Sequence, residues 1–249
     1  FAKATEDPHF VEAKPSFIKT LSECDFYVQV GLELELGWAP VLLQNARNAK
    51  ILSGAPGYVD ASSVITPMEV PTTPVDRSMG DVHPLGNPHY LLDPLNGLKV
   101  AALLRDKFSE LQPENARYFA DRYMNLRQRV GSALVGETLA KKYECEKLAL
   151  RVEHGRLDDF LQSQGEADSL GGWLALMSPH VGAKVVADHN MWPYFARRFG
   201  VTVIGFLEPK PGIPPSTAHL NTLVQTMKAN EVKAVLAAAY YDPRYARFI

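Results

Sequence analysis

The sequence predicts an α/β fold, with two parallel-sheet α/β lobes joined by a long, rigid backbone helix. Three observations point there. Short β-branched or apolar runs alternate with helical stretches in both halves of the chain. One continuous amphipathic stretch of helical period separates the halves. The chain has 249 residues and 46% hydrophobic content, enough to bury the cores of two ordinary lobes.

In chain order, "FYVQVG" from Phe26 and "AKILSG" from Ala49 read as parallel strands of a covered sheet, with "LELELGWAPVLLQNAR" helical between them. Residues 66–94 hold too much proline and glycine for regular structure and are expected to form a long functional loop. Pro113 and Glu114 suit a helix start. Ala116, Phe119, Tyr123, Leu126 and Val130 then step by threes and fours, and Ala133 and Leu134 follow Val130 at three and four. They describe one face of a helix of about 28 residues, roughly 42 Å long. A rod of that length suits a strut better than a core element. The expected organisation is therefore an N-terminal lobe over 1–112, a linking helix over 113–142 and a C-terminal lobe over 143–249.

Residues 143–183 read as mixed helix and loop. After them come "AKVVAD" as strand, "MWPYFARRFG" as helix, "VTVIGFL" as strand, "PSTAHLNTLVQTMKAN" as helix and "VKAVLAAA" as strand. This βαβαβ order predicts a parallel sheet whose ligand surface lies beyond the carboxyl ends of its strands.

Charge narrows the partners. With 26 basic and 28 acidic side chains the formal charge is -2, so no polybasic surface points to nucleic acid or an anionic membrane. No apolar run approaches the roughly 18 to 20 residues that cross a bilayer, and no transmembrane segment is expected. Residue 1 is Phe, and "YYDPRYARFI" breaks off where a helix is starting, so further chain is expected at both ends. Cys24 and Cys145 match no metal-binding spacing and are expected to be free, buried thiols.

The chemistry lies in the histidines. Of seven, three share a local grammar, a stiff or strand-terminal position beside an acidic or amide neighbour: His9 in "EDPHF", His89 in "GNPHY" and His189 in "VVADHNMW". The prolines before His9 and His89 fix the backbone, so each imidazole has little freedom to lose on binding. His189 ends a predicted strand, where an open α/β sheet presents side chains to a crevice. Taken singly, each is an ordinary polar residue. Taken together, three neutral imidazoles plus one oxygen would complete a tetrahedral zinc site built from both lobes.

These stretches resemble a known family. "EDPHFVEAKPSFIKTLSECDFYVQVGLELE", "NPHYLLDP" and "ADHNMWPYFARRFGVTVIG" are similar, in order, to three motifs of the solute-binding proteins of zinc and manganese ABC importers, the ZnuA or TroA type. The likeness spans most of the chain but leaves out 143–183. It implies a periplasmic or surface-tethered monomer with the metal clamped in the interlobe cleft by His9, His89 and His189, and a membrane permease as partner. Relatives selecting manganese tend to carry a carboxylate at the third position, so His189 favours zinc, with manganese the weaker candidate. The family's usual fourth ligand, an acidic residue, would fall beyond Ile249, which leaves the fourth position open to water, to that residue or to a local substitute such as a carboxylate.

The expected function is thus zinc capture without turnover, in a protein that is not an enzyme. The alternative is a zinc-dependent hydrolase using three histidines and a bound water, against which stands the lack of an H-E-x-x-H, G-x-S-x-G or phosphate-cradling motif. Other residues have plainer expectations. His83 falls where relatives carry a histidine-rich loop, yet alone it is expected to be solvent-exposed. Glu6 and Glu208 could lend an oxygen but read as helix-start or surface carboxylates, and Asp7 and Asp93 as outer partners or turn residues. His154, His180 and His219 read as ordinary, and Trp192, Tyr194 and Phe195 as core.

Overall fold

Helix α1 (Pro15–Glu23) opens with proline in its first turn, where the missing N–H is no loss. It leads to β1 (Tyr27–Gln29), which pairs in parallel with β2 (Tyr58–Asp60). The computed structural model describes residues 1–3, 5–75 and 82–249. Leu21, Tyr27, Trp38, Leu42 and Ile51 form the core under this first sheet.

Two sequence expectations are corrected here. "AKILSG" is not a strand: Ala49–Ile51 is a 3-10 turn, capped by the Asn48 side chain accepting from the Lys50 N–H, and the second strand is Tyr58–Asp60. The helix predicted from Leu32 starts only at Ala39, as α2 (Ala39–Ala46). Gly31, Leu32 and Glu33 all have positive φ (84°, 50° and 68°), which an α-helix cannot continue through. The buried Glu35 carboxylate fixes that bend by accepting the N–H groups of Val30 and Gly31 at 2.6 and 3.1 Å.

The expected loop over 66–94 includes 76–81, which lie outside the described residues. Its last part turns through Tyr90–Leu92 into α3 (Pro94–Leu111), capped by Asp93. The linking helix also differs from expectation: α4 runs over Ala116–Val135, 20 residues or about 30 Å. Gly136, at φ 85° and ψ 158°, separates it from α5 (Glu137–Lys142). α3 packs along α4, so the rod is a helix pair. One end reaches the first sheet through Phe108 against Phe26 (ring centroids 4.7 Å). The other end supplies Leu95, Leu98, Leu134 and Val135 to a core completed by α6 (Cys145–Glu153), α7 (Leu157–Ser163) and α8 (Gly172–Met177). The mixed reading of 143–183 matches these short helices. Cys24 and Cys145 are free, and Cys145 is buried whereas Cys24 is only half-buried.

The second sheet has the order β4-β3-β5, all parallel, from β3 (Lys184–Ala187), β4 (Thr202–Phe206) and β5 (Val235–Leu236). α9 (Pro193–Phe199) follows β3 and stops at Gly200 in the left-handed region. α10 (Thr217–Ala229) follows β4, its start capped by Ser216, and α11 (Pro243–Phe248) ends the chain. Ile65, Tyr90 and Tyr194 form a small core that joins the segment after β2, the segment before α3 and α9.

Candidate metal centre

Three loops converge at the carboxyl ends of the two sheets. His189 lies two residues past β3. His89 sits before α3, and its neighbour Tyr90 donates to the carbonyl of Val30, just beyond β1, at 2.7 Å. His9 precedes α1, tied down where Trp38 Nε1–H donates to the Pro8 carbonyl at 2.9 Å. The imidazole centroids form a near-regular triangle: His9 to His89 5.2 Å, His9 to His189 5.8 Å and His89 to His189 5.5 Å. One ring nitrogen from each lies within 4.8 Å of the other two.

Each ring is held by its Nδ1. His9 Nδ1–H donates to Asp7 Oδ1 at 2.7 Å, and the same oxygen accepts the His9 backbone N–H at 3.0 Å. His89 repeats the device with Asn87 Oδ1, at 2.9 Å from the ring and 3.0 Å from the backbone. His189 Nδ1–H donates to Glu208 Oε2 at 2.7 Å, while its backbone N–H goes to Asp188 Oδ1. Carboxylates only accept, so Nδ1 carries the proton in His9 and His189. The Asn87 amide is oriented by its other end, since Nδ2 donates to Glu69 Oε2 (3.0 Å) and to the Asn190 carbonyl (2.8 Å). All three rings therefore leave Nε2 as a lone-pair donor, and His89 Nε2 is buried with no hydrogen-bond partner.

Burial and the neighbouring imidazoles of His9, His189 and His83 hold His89 well below its ordinary pKa, keeping it neutral. For Asp7, burial alone would raise the carboxyl, but the hydrogen bonds from His9 outweigh it and the net shift is downward.

The remaining candidates sort by contact. Asp7 is the outer partner expected, and Asp93 caps α3 while binding Arg198 through two bonds of 2.9 and 2.8 Å, fully buried. Glu208 is not the surface carboxylate expected: it is largely buried and accepts from His189 Nδ1, which orients that ring. Glu6 pairs with Lys3 at the surface. His154 and His180 are exposed, and His219 donates from Nε2 to the Phe206 carbonyl. Tyr194 is core, Phe195 packs on the helical core and Trp192 Nε1–H donates to Asp188. His83, expected in solvent, is half-buried, with its Nε2 3.1 Å from His9 Nε2. Burial first, then His9 and His189, pushes its pKa down to about 4.

Sequence reasoning did not reach Glu69, which accepts from both Asn87 and Asn190 (2.9 Å), or Tyr241, whose ring stacks on His189 with centroids 5.7 Å apart and planes at 20°. Neither has a local signal. The amide in "GNPHY" was in the grammar, though its double acceptor role was not.

The family model described as "Zinc-uptake complex component A periplasmic" matches residues 1–165 and 162–249, including the stretch 143–183 that the sequence resemblance left aside. Among solved structures, a ZnuA crystal structure aligns at 22% identity over 99% of this chain and 75% of that chain, with a TM-score of 0.66. AdcAII of Streptococcus pneumoniae aligns at 20% identity over 98% and 73%, TM-score 0.62. FpvC of Pseudomonas aeruginosa, in complex with Mn²⁺, aligns at 18% identity over 99% and 73%, TM-score 0.59. Among curated protein sequences none matches. Among the described residues no helix is long and apolar enough to cross a membrane.

Proposed function

The chain belongs to the family of the periplasmic zinc-uptake complex component A, metal-binding proteins that serve ABC importers, and on that premise we propose that it captures a zinc ion with His9, His89 and His189 for delivery to a membrane permease. It would work in the periplasm, or tethered at the outer face of the membrane, as a monomer.

One observation carries the reading: three imidazoles from remote parts of the chain, each locked by its Nδ1, with the Nε2 of His89 buried and unpartnered. An unsatisfied buried acceptor costs about 1–3 kcal/mol, and a shared cation would relieve it. Zn–N bonds of about 2.0–2.1 Å set nitrogens roughly 3.3–3.4 Å apart in a tetrahedron. The three nitrogens, within 4.8 Å of one another, need to close by about 1.5 Å at most. An all-imidazole set favours zinc, whereas harder Mn²⁺ prefers added carboxylates. The carboxylates that touch the imidazoles, those of Asp7 and Glu208, are engaged in orienting them rather than poised as a general base, which favours carriage over hydrolysis.

Calorimetric titration with zinc and with manganese tests this. The expected result is one zinc per chain, bound more tightly than manganese. His89→Ala should weaken zinc by more than the roughly 10- to 100-fold that loss of an outer partner causes. Unchanged tight binding in the variant would overturn the site.

A further inference from the structure

His83 adjoins the cluster on its His9 side, just outside the set of three whose ring nitrogens lie within 4.8 Å of one another. Its ring stacks on His9, with centroids 5.2 Å apart and planes at 29°, and lies edge-on to His89 at 6.3 Å. A small cavity of about 60 Å³ is lined by both His83 and His189, together with Asn87 and Glu69, so the ring borders the same space as the third histidine. The 3.1 Å between His83 Nε2 and His9 Nε2 is close to the roughly 3.3–3.4 Å edge of a tetrahedral zinc site. Pro84 follows directly and restrains the His83 backbone to extended geometry, much as proline stiffens the approach to His9 and His89.

We infer that His83 is the fourth nitrogen ligand of the zinc site, an inference that rests on the three-histidine reading. His9 Nδ1 keeps its proton and donates it in a hydrogen bond to Asp7, so its Nε2 accepts from His83 Nε2–H. On ligation that His83 proton passes to water and Nδ1 takes one up. The ring stays neutral, and the Nε2 lone pair turns from His9's partner into the metal's ligand. The centre then holds four imidazoles, a set that suits zinc over manganese.

The test uses the zinc-loaded chain labelled with ¹⁵N-histidine, alongside His83→Asn and His89→Ala, with zinc affinity measured by chelator competition. In the wild type, four of the seven histidines should show metal-bound Nε2 resonances. His83→Asn should show three and lose at least roughly tenfold in affinity, the lower bound for loss of even an outer partner. Unchanged melting of the zinc-free variant would show that its fold is intact. Three metal-bound histidines in the wild type, or a His83→Asn variant that binds as tightly as wild type, would overturn the inference while leaving the three-histidine site standing. Loss of all effect in His89→Ala as well would overturn the site itself.

Discussion

Asn87 holds His89 through a single atom: Oδ1 accepts both the backbone N–H and the ring Nδ1–H of the histidine two residues on, at 3.0 and 2.9 Å. Asp7 treats His9 the same way at 3.0 and 2.7 Å. An acceptor, a proline and a histidine therefore make a rigid unit that sets tautomer and ring direction together. The unit is used twice, 80 residues apart.

Removing the acceptor should weaken the metal without removing a ligand. For Asn87→Ala we expect zinc affinity to fall roughly 10- to 100-fold, because His89 is then free to take the other tautomer. Asn87→Asp should not rescue it: the new carboxylate would face Glu69, which now accepts from the Asn87 amide at 3.0 Å. Chelator competition at fixed pH decides the matter, and wild-type affinity in Asn87→Ala would refute the orienting role.

Glu208 does the same for His189 and also accepts the Gly212 N–H at 2.9 Å. Glu208→Gln keeps one oxygen and should lose less zinc affinity than Glu208→Ala, which we place again at roughly 10- to 100-fold. Equal losses in the two variants would mean that charge, rather than the hydrogen bond, is what matters.

The imidazole cluster should make the zinc-free protein acid-sensitive. His89 and His83 have folded pKa values below their ordinary 6.5, His83 at about 4, mainly through burial and then through the facing imidazoles. Below about pH 6.5 the unfolded chain binds protons that the folded chain refuses, so stability falls with falling pH. The His83 share of that loss ends near pH 4, where the folded chain also takes its proton. Melting temperatures from pH 7.5 to 4.5 should decline, and less steeply in His89→Gln. Added zinc should raise the melting temperature at pH 7.5 and make its fall with acidity steeper, since metal-bound imidazoles refuse the protons that the unfolded chain takes up. A flat or inverted profile in the wild type would refute this.

Asp93 and Arg198 clamp the start of α3 to α9, and with it the loop of His89 to the loop of His189. Both side chains are almost wholly inaccessible, and Glu153 adds a second carboxylate at 2.8 Å from Arg198. Leaving a buried charge without its partner typically costs about 3–5 kcal/mol, and Asp93 also caps α3, worth about 1 kcal/mol. Asp93→Ala should therefore be among the most destabilising substitutions in the molecule by urea unfolding, far beyond the surface pair Lys141–Glu137, where removing one partner should cost under about 1 kcal/mol. Comparable midpoints for the two variants would contradict that ranking.

How much of this was legible depended on how local the signal was. The parallel second sheet and the three histidines were readable because strand, proline and Asx signals all lie within a few residues of what they determine. Glu69, Glu208 and Tyr241 reach the centre only through the tertiary fold, so nothing beside them announces it. His83 looked like a lone loop histidine because its partner His9 lies 74 residues away. The strand placed at "AKILSG" failed for another reason: Asn48 offers a side-chain cap that converts an apolar run into a turn.

The break in the long helix is the sharpest such case, and it can be tested. The apolar spacing continues through Gly136 to Leu139, which is why one helix was expected. Yet the backbone there adopts φ 85° and ψ 158°, a region essentially closed to other residues. A Cβ built on Gly136 would meet Gly171 Cα at 2.8 Å, and Gly171 N–H donates to the Val135 carbonyl at 3.0 Å. The glycine thus ends α4 and lets the 171 segment pack against it, which a continuous helix would prevent. Gly136→Ala meets both a backbone penalty of about 1–3 kcal/mol and contact with backbone that cannot swing aside. We expect destabilisation at or above that range in urea unfolding, whereas Gly155→Ala, also at positive φ (62°) but with open space around the added carbon, should lose less. If Gly136→Ala were neutral, the segment could run on as a single helix, and the close approach of residue 171 would not be what breaks it.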